Sequence, residues 1–111
     1  MQTCVFCKIR DREIPKEFEY EDDDVMVFPD INPAREVHFL IVPKKHLKDF
    51  MELKDPKLMF KVFSTIQDIA RKKGLDKNGF KLFVNGGGAQ IIDHLHIHLT
   101  GPWGKAEKFG L

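Results

Sequence analysis

Apolar residues in the middle of the chain recur at three- and four-residue spacing. Met59, Val62, Phe63, Ile66, Ile69 and Ala70 share one face of a predicted helix. Its ends are marked chemically: Asp55 is a good N-cap, Pro56 suits the first helical position and Gly74 suits a left-handed C-cap. Arg71, Lys72 and Lys73 fall where the helix dipole is negative. The expected element runs from Asp55 to Gly74, about five turns at ~3.6 residues each. Around it the period drops to two. Short runs between turn residues predict strands at Phe18–Glu21, at Val25–Pro29 behind Asp22-Asp23-Asp24, and at Val37–Val42 before Pro43. After the helix, Phe80, Leu82 and Val84 alternate with Lys81, Phe83 and Asn85, and Leu95, Ile97 and Leu99 alternate with His94, His96 and His98. The pattern predicts an α+β fold, a five-stranded and mostly antiparallel sheet with the long helix on one face.

A length of 111 residues suits a single domain spanning 1–111, and no repeat, linker or low-complexity segment divides it. Lys+Arg 18 against Asp+Glu 17 leaves a net charge of +1, too little field to hold duplex nucleic acid by counterion release. No apolar run approaches the roughly 20 residues of a membrane span, and the first residues lack the basic-then-apolar layout of a signal peptide. A cytoplasmic protein without membrane contact is expected.

The run His94-Leu95-His96-Ile97-His98-Leu99 has a strand's period, so its three imidazoles should project from one face. The outer two would stand about 13 Å apart, too far for all three to ligate one metal. The row must divide its labour. An imidazole is mostly neutral at pH 7 and offers a nitrogen nucleophile or base, which suits chemistry at phosphorus. Asn85-Gly86-Gly87-Gly88 lies just before the row, where backbone N–H groups could cradle an anion; an ordinary hairpin loop explains the same glycines.

Cys4-x-x-Cys7 can supply half of a tetrahedral zinc site, with His94 from the end of the row and His46 after Pro43-Lys44-Lys45 closing it. Inert buried thiols and a redox pair are the competing readings. A redox pair calls for a preceding strand and a low-pKa thiol at a helix start, and no strand precedes Cys4.

With His94-x-His96-x-His98 following Gln90, and Cys4-Val5-Phe6-Cys7-Lys8-Ile9 at the start, the chain resembles the histidine triad (HIT) superfamily, and within it the Hint-like purine nucleoside phosphoramidases. Glu13-Ile14-Pro15, Phe28-Pro29-Asp30-Ile31-Asn32-Pro33 and the stretch from His38 to His46 follow the family's order, so the resemblance covers almost the whole length. It implies a HIT-like fold with a short N-terminal helix beside the long one. The implied activity is that of a hydrolase or nucleotidyl transferase: a neutral middle histidine attacks the α-phosphorus of a purine nucleotide conjugate, and water then hydrolyses the nucleotidyl-histidine.

Matched position by position, the resemblance implies His96 as nucleophile, with His98 and His38 on the phosphate and leaving-group side. Asn85, Gly88 and Gln90 would hold the phosphate, Asp30 the ribose hydroxyls, and Ile14, Phe28 and Ile31 the purine. Zinc-bearing relatives imply a structural zinc on Cys4, Cys7, His46 and His94, with no organic cofactor. A homodimer joined through the long helix and Phe80–Asn85 is also implied.

This sequence departs from the family's pattern at two places. Ile91 stands where a Ser or Thr usually follows the glutamine, and the glycine loop is short, with Ala89-Gln90 in place of Gly-Gln. The lost hydroxyl favours an alternative, hydrolysis of dinucleoside polyphosphates, whose nucleotide leaving group needs less help from a proton. A third reading is a nucleotide-binding or interaction module with weak catalysis, which tight AMP binding without turnover would identify.

Overall fold

The computed structural model describes residues 3–105. The terminal Phe109-Gly110-Leu111, which the sequence pattern leaves without a place, lies outside the described residues. The elements are α1 (Val5–Arg10), β1 (Tyr20–Glu21), β2 (Val25–Pro29), β3 (Val37–Pro43), a 3-10 turn at Phe50–Glu52, α2 (Pro56–Lys72), α3 (Leu75–Asn78), β4 (Lys81–Val84) and β5 (Ile97–Gly101). The sheet has the order β1-β2-β3-β5-β4, and every pairing is antiparallel. The α+β architecture expected from periodicity is the one observed.

Period-two alternation sends two sets of side chains to opposite faces. Val27, Phe39, Ile41, Ile97 and Leu99 pack with Val62, Ile66 and Ile69 of α2, while Met26, Phe28, Leu40 and Val42 pack with Phe6 and Ile9 of α1. Covering on both faces explains why Val25 to Phe28 is buried without interruption. Each large side chain so buried contributes about 1.5–3 kcal/mol. The carboxylate of Asp55 accepts from the Lys57 N–H at 3.0 Å and starts α2. Gly74 just past its end has φ +71°, a left-handed turn that favours glycine. At Gly101 the reason for glycine is space, because a Cβ would stand 2.6 Å from a Leu75 methyl and 2.7 Å from the Gly79 carbonyl oxygen.

Two strands start at least two residues later than expected. The first strand is only Tyr20–Glu21, and β5 starts at Ile97 rather than among the earlier histidines. The Leu95 N–H donates to the Leu47 carbonyl at 2.7 Å, outside the sheet, and the ladder begins only where Ile97 meets Ile41 and Val84. A loop contact therefore takes His94, Leu95 and His96 off the strand while the imidazoles keep facing α1.

Asp22 ties the β1–β2 turn to α2. One of its oxygens accepts from the N–H groups of Asp24 (2.8 Å) and Val25 (2.9 Å), and the other from the Tyr20 hydroxyl (2.6 Å) and the Lys61 ammonium (2.9 Å). Burial acts to raise its pKa, yet these hydrogen bonds outweigh burial and hold the carboxyl well below the usual carboxylate range. A depressed carboxyl contributes stability that is present above the unfolded value near 3.9 and fades as pH falls through the lower folded one. Asp22→Ala is expected to cost roughly 1–3 kcal/mol at pH 7 and to flatten the acid limb of the stability curve, as checked by denaturant melts between pH 7 and pH 2.5.

Candidate active site

The three-histidine row is split by its surroundings. The His94 ring lies 4.8 Å from that of His46, while His96 and His98 lie 5.1 Å apart, and His98 is 5.1 Å from His38 across the β3–β5 pair. His94 thus belongs to one cluster; His96, His98 and His38 form another.

Hydrogen bonds assign the ring protons. A backbone N–H only donates, so the Ala34 N–H at 3.0 Å from His38 Nδ1 leaves that nitrogen unprotonated and places the proton of a neutral ring on Nε2. His38 Nε2–H then donates to His98 Nδ1 at 2.9 Å, which puts the His98 proton on its own Nε2. His96 Nδ1–H donates to the His94 carbonyl at 2.8 Å, leaving the lone pair on His96 Nε2. The unprotonated nitrogen of the His96 ring is therefore Nε2. The Arg35 guanidinium lies 3.5 Å over the Trp103 ring and anchors the loop that carries Ala34. Burial, then the adjacent His96 and His38, push His98 down to about 4 against the pull of Asp30. Phe83, its partner in the β4–β5 register, stacks on it at 4.1 Å and 10°.

Cys4, Cys7, His46 and His94 bring one donor atom each within 4.8 Å of the others. The imidazole Nδ1 atoms stand 3.2 Å (His46 to Cys7), 3.3 Å (His94 to Cys4) and 3.6 Å (His94 to Cys7) from the sulfurs. Tetrahedral zinc with bonds of about 2.0 Å to nitrogen and about 2.3 Å to sulfur needs separations near 3.5 Å. His94 Nε2–H donates to the Pro43 carbonyl at 2.7 Å and so turns the Nδ1 lone pair toward the sulfurs. Burial pushes the His94 imidazole down to about 4, which keeps it neutral as a ligand must be. Without a cation, burial and the neighbouring Cys4 raise the Cys7 thiol to about 11. The donor set fits zinc. Asp30, His38 and His98 are as closely gathered, with Asp30 Oδ2 at 3.4 Å from His38 Nε2. There the proton on His38 Nε2 occupies the position a cation would need, so this second group is a hydrogen-bonded relay.

Beside His96 opens a cavity of about 320 Å³. Of the expected residues, Phe28, Asp30, Ile31, Asn85, His96 and His98 line it. Ile14 does not; it packs on the α1-side core cluster. Gly88, Gln90 and His38 are also set back from the wall, His38 acting only through His98. Residues without an expected role also line it, among them Val5, Phe6 and Ile9 from α1, Leu40 from β3, Asn32 and Ile92. The helical spacing of Val5 and Ile9 and the strand face that Leu40 shares with His38 carried that signal. Lys16, also in the wall, had none.

The glycine loop differs from an open anion cradle. Gly87 (φ +65°) and Gly88 (φ +96°) need glycine for their backbone angles, with nothing within 4 Å of a Cβ there. Their N–H groups are already engaged, Gly87 with Asp49 Oδ2 at 2.9 Å and Gly88 with Gln90 Oε1 at 3.0 Å. The buried Asp49 also accepts from the Met51 N–H at 2.9 Å, and these amides hold its carboxyl below its ordinary value. A phosphate beside His96 would meet imidazole and Asn85 first, not two free amides. Ile91 is 98% exposed and offers no hydroxyl.

Comparison with known proteins agrees with the fold. The profile of the family described as scavenger mRNA decapping enzyme C-term binding matches residues 3–109. The chain belongs to that family and, with it, to the histidine triad superfamily. It is 40% identical over 105 residues to Protein HitA of Neisseria gonorrhoeae, covering 91% of this chain and 97% of that one. A 14 kDa zinc-binding protein of Brassica juncea is 36% identical over 105 residues, with 87% and 90% covered. The solved structure of a HIT family hydrolase from Clostridium thermocellum superposes with a TM-score of 0.85 at 36% identity, covering 100% of this chain and 96% of that one.

Proposed function

We propose that the protein cleaves the bond to the α-phosphate of purine nucleotide conjugates, with nucleoside phosphoramidates as the leading substrate class, through a nucleotidyl-histidine on His96. The observation that carries this reading is the His96 ring at the cavity wall, its Nδ1–H spent on the His94 carbonyl and its Nε2 lone pair free. Nε2 forms a bond to phosphorus as the bond from phosphorus to the leaving group breaks and the leaving amine takes up a proton; water then attacks the same phosphorus, gives up a proton, and releases the nucleotide and the neutral imidazole. His98, with its proton on Nε2 and its orientation set through His38 and Ala34, stabilises charge on the phosphoryl oxygens. Asp30 receives the ribose hydroxyls, and Phe6, Ile9, Phe28 and Leu40 supply the apolar bed for the base.

The residues that would hold zinc are Cys4, Cys7, His46 and His94, and bound metal would supply structural cross-linking there and no chemistry at phosphorus. The Brassica zinc-binding relative supports the metal's identity. We also propose a homodimer. β4 is an edge strand of the sheet, and Phe80, Leu82 and Phe83 with Phe60 and Phe63 of α2 leave large apolar surface uncovered.

A second reading, hydrolysis of dinucleoside polyphosphates, is favoured by one observation, the exposed aliphatic Ile91 in place of a hydroxyl donor. Turnover of an adenosine phosphoramidate and of a diadenosine polyphosphate, measured side by side, separates the two. The proposal expects the phosphoramidate to have the higher kcat/KM. A reversed order establishes the second reading, and no turnover of either removes the enzymatic proposal.

A further inference from the structure

We infer that Lys16 makes the cavity selective for a purine that carries an oxo group at C6, that is, for guanine or hypoxanthine nucleotides over adenine nucleotides. The inference rests on the reading of this cavity as a nucleotide site. The polar groups of the wall are unevenly spread: His96, His98, Asn85, Asp30 and Asn32 gather at the end where phosphate and ribose chemistry belongs, Asn32 being held to Asp30 by its N–H at 2.9 Å. From His96 the wall leads away through aromatic rings, His96 to Phe6 at 5.0 Å and Phe6 to Phe28 at 5.7 Å, and beyond them lies the Lys16 ammonium, 5.3 Å over the Phe28 ring. Lys16 is the wall's one ammonium or guanidinium side chain, and it stands over Phe28, the second ring of that series.

Lys16 is half-buried and takes part in none of the ion pairs among the described residues. An ammonium has three donors and no acceptor. The edge of a purine remote from its sugar presents either two acceptors, O6 and N7 in guanine, or an acceptor beside an amino donor, N7 and N6 in adenine. A lysine can satisfy the first pattern at both positions and opposes the amino group of the second. The wall's one carboxylate, Asp30, faces His38 at 3.4 Å and His98 at 3.8 Å, and is not paired with Lys16 to reverse the preference by accepting from an adenine amino group.

Calorimetric titration of the metal-loaded protein with AMP, IMP and GMP tests this. IMP differs from AMP only in the C6 group and its N1 proton, so the pair isolates the atom Lys16 would read. IMP and GMP should each bind about tenfold more tightly than AMP, about 1.4 kcal/mol. In Lys16→Met, which keeps the length of the side chain without the charge, the IMP to AMP ratio should fall to within about twofold of one. The melting temperature and zinc content of Lys16→Met show whether its fold stands, and Lys16→Arg, which retains donors, should keep the preference for IMP. Equal binding of AMP and IMP by the unmodified protein, or an unchanged ratio in a folded Lys16→Met, overturns the inference alone. Binding of none of the three overturns the nucleotide reading and the inference with it.

Discussion

His96→Ala should lose the nucleotidyl adduct altogether and lower turnover on the order of 10⁴-fold or more. The unmodified protein, incubated with an adenosine phosphoramidate and quenched in mild base, should show a mass increase of one nucleotide; the alanine variant should show none. So large an effect is expected because the ring has one role and no substitute. The other imidazole facing the cavity, His98, has its Nδ1 occupied by the His38 proton and presents Nε2 as a donor, so it cannot take over as nucleophile without shifting the whole relay. His98→Ala should leave some adduct formation while slowing it, because it removes a donor to the phosphoryl oxygens and not the attacking atom. An undiminished adduct in His96→Ala would show that another atom is nucleotidylated and would end the proposal.

Removing the metal should lower the melting temperature by at least about 10 °C, corresponding to a loss of roughly 2–3 kcal/mol. α1 has six residues, too few to persist alone. Cys4 at its N-cap and Cys7 within it meet His46 from the segment after β3 and His94 from the segment before β5, so a metal there closes three separate stretches of chain onto one point. The remaining polar ties of α1 are modest, the Arg10 guanidinium on the Lys44 carbonyl at 2.9 Å being the principal one. Activity should fall with stability, because the carbonyl that fixes the His96 ring belongs to His94, whose own ring is a donor in the cluster. Chelation followed by thermal melting and a turnover assay checks both effects, with Cys7→Ala as the genetic counterpart. A metal content of zero in freshly purified protein, together with a melt that added zinc leaves unchanged, would refute it.

The parts of the site that were legible in the sequence are those with a local signature. Period two at His94-His96-His98 and the Cys4-x-x-Cys7 spacing are visible without any fold, and the paired cysteines already called for two outside donors. The glycine loop was read for its backbone freedom, correctly as to conformation, since Gly87 and Gly88 have positive φ. Where its N–H groups point depends on Asp49, a residue 38 positions earlier whose carboxylate comes up beneath the loop. Ile14 shows the converse: it stands in a matching motif, yet it is partly buried against the α1-side core cluster and does not line the cavity.

The amino-acid sequence by itself determined the elements, their faces and the supply of chemical groups, because hydrophobic period, caps and turn residues act over a few positions. It also determined that three imidazoles in a row could not serve one centre. The tertiary structure alone decided which ring nitrogen carries each proton, because those protons answer to the carbonyls of Pro43 and His94 and to the Ala34 N–H. It alone placed Lys16 in the cavity wall, over the Phe28 ring. Hydrogen bonds and cavity walls join residues distant in the chain, and no short-range pattern records which partners will meet.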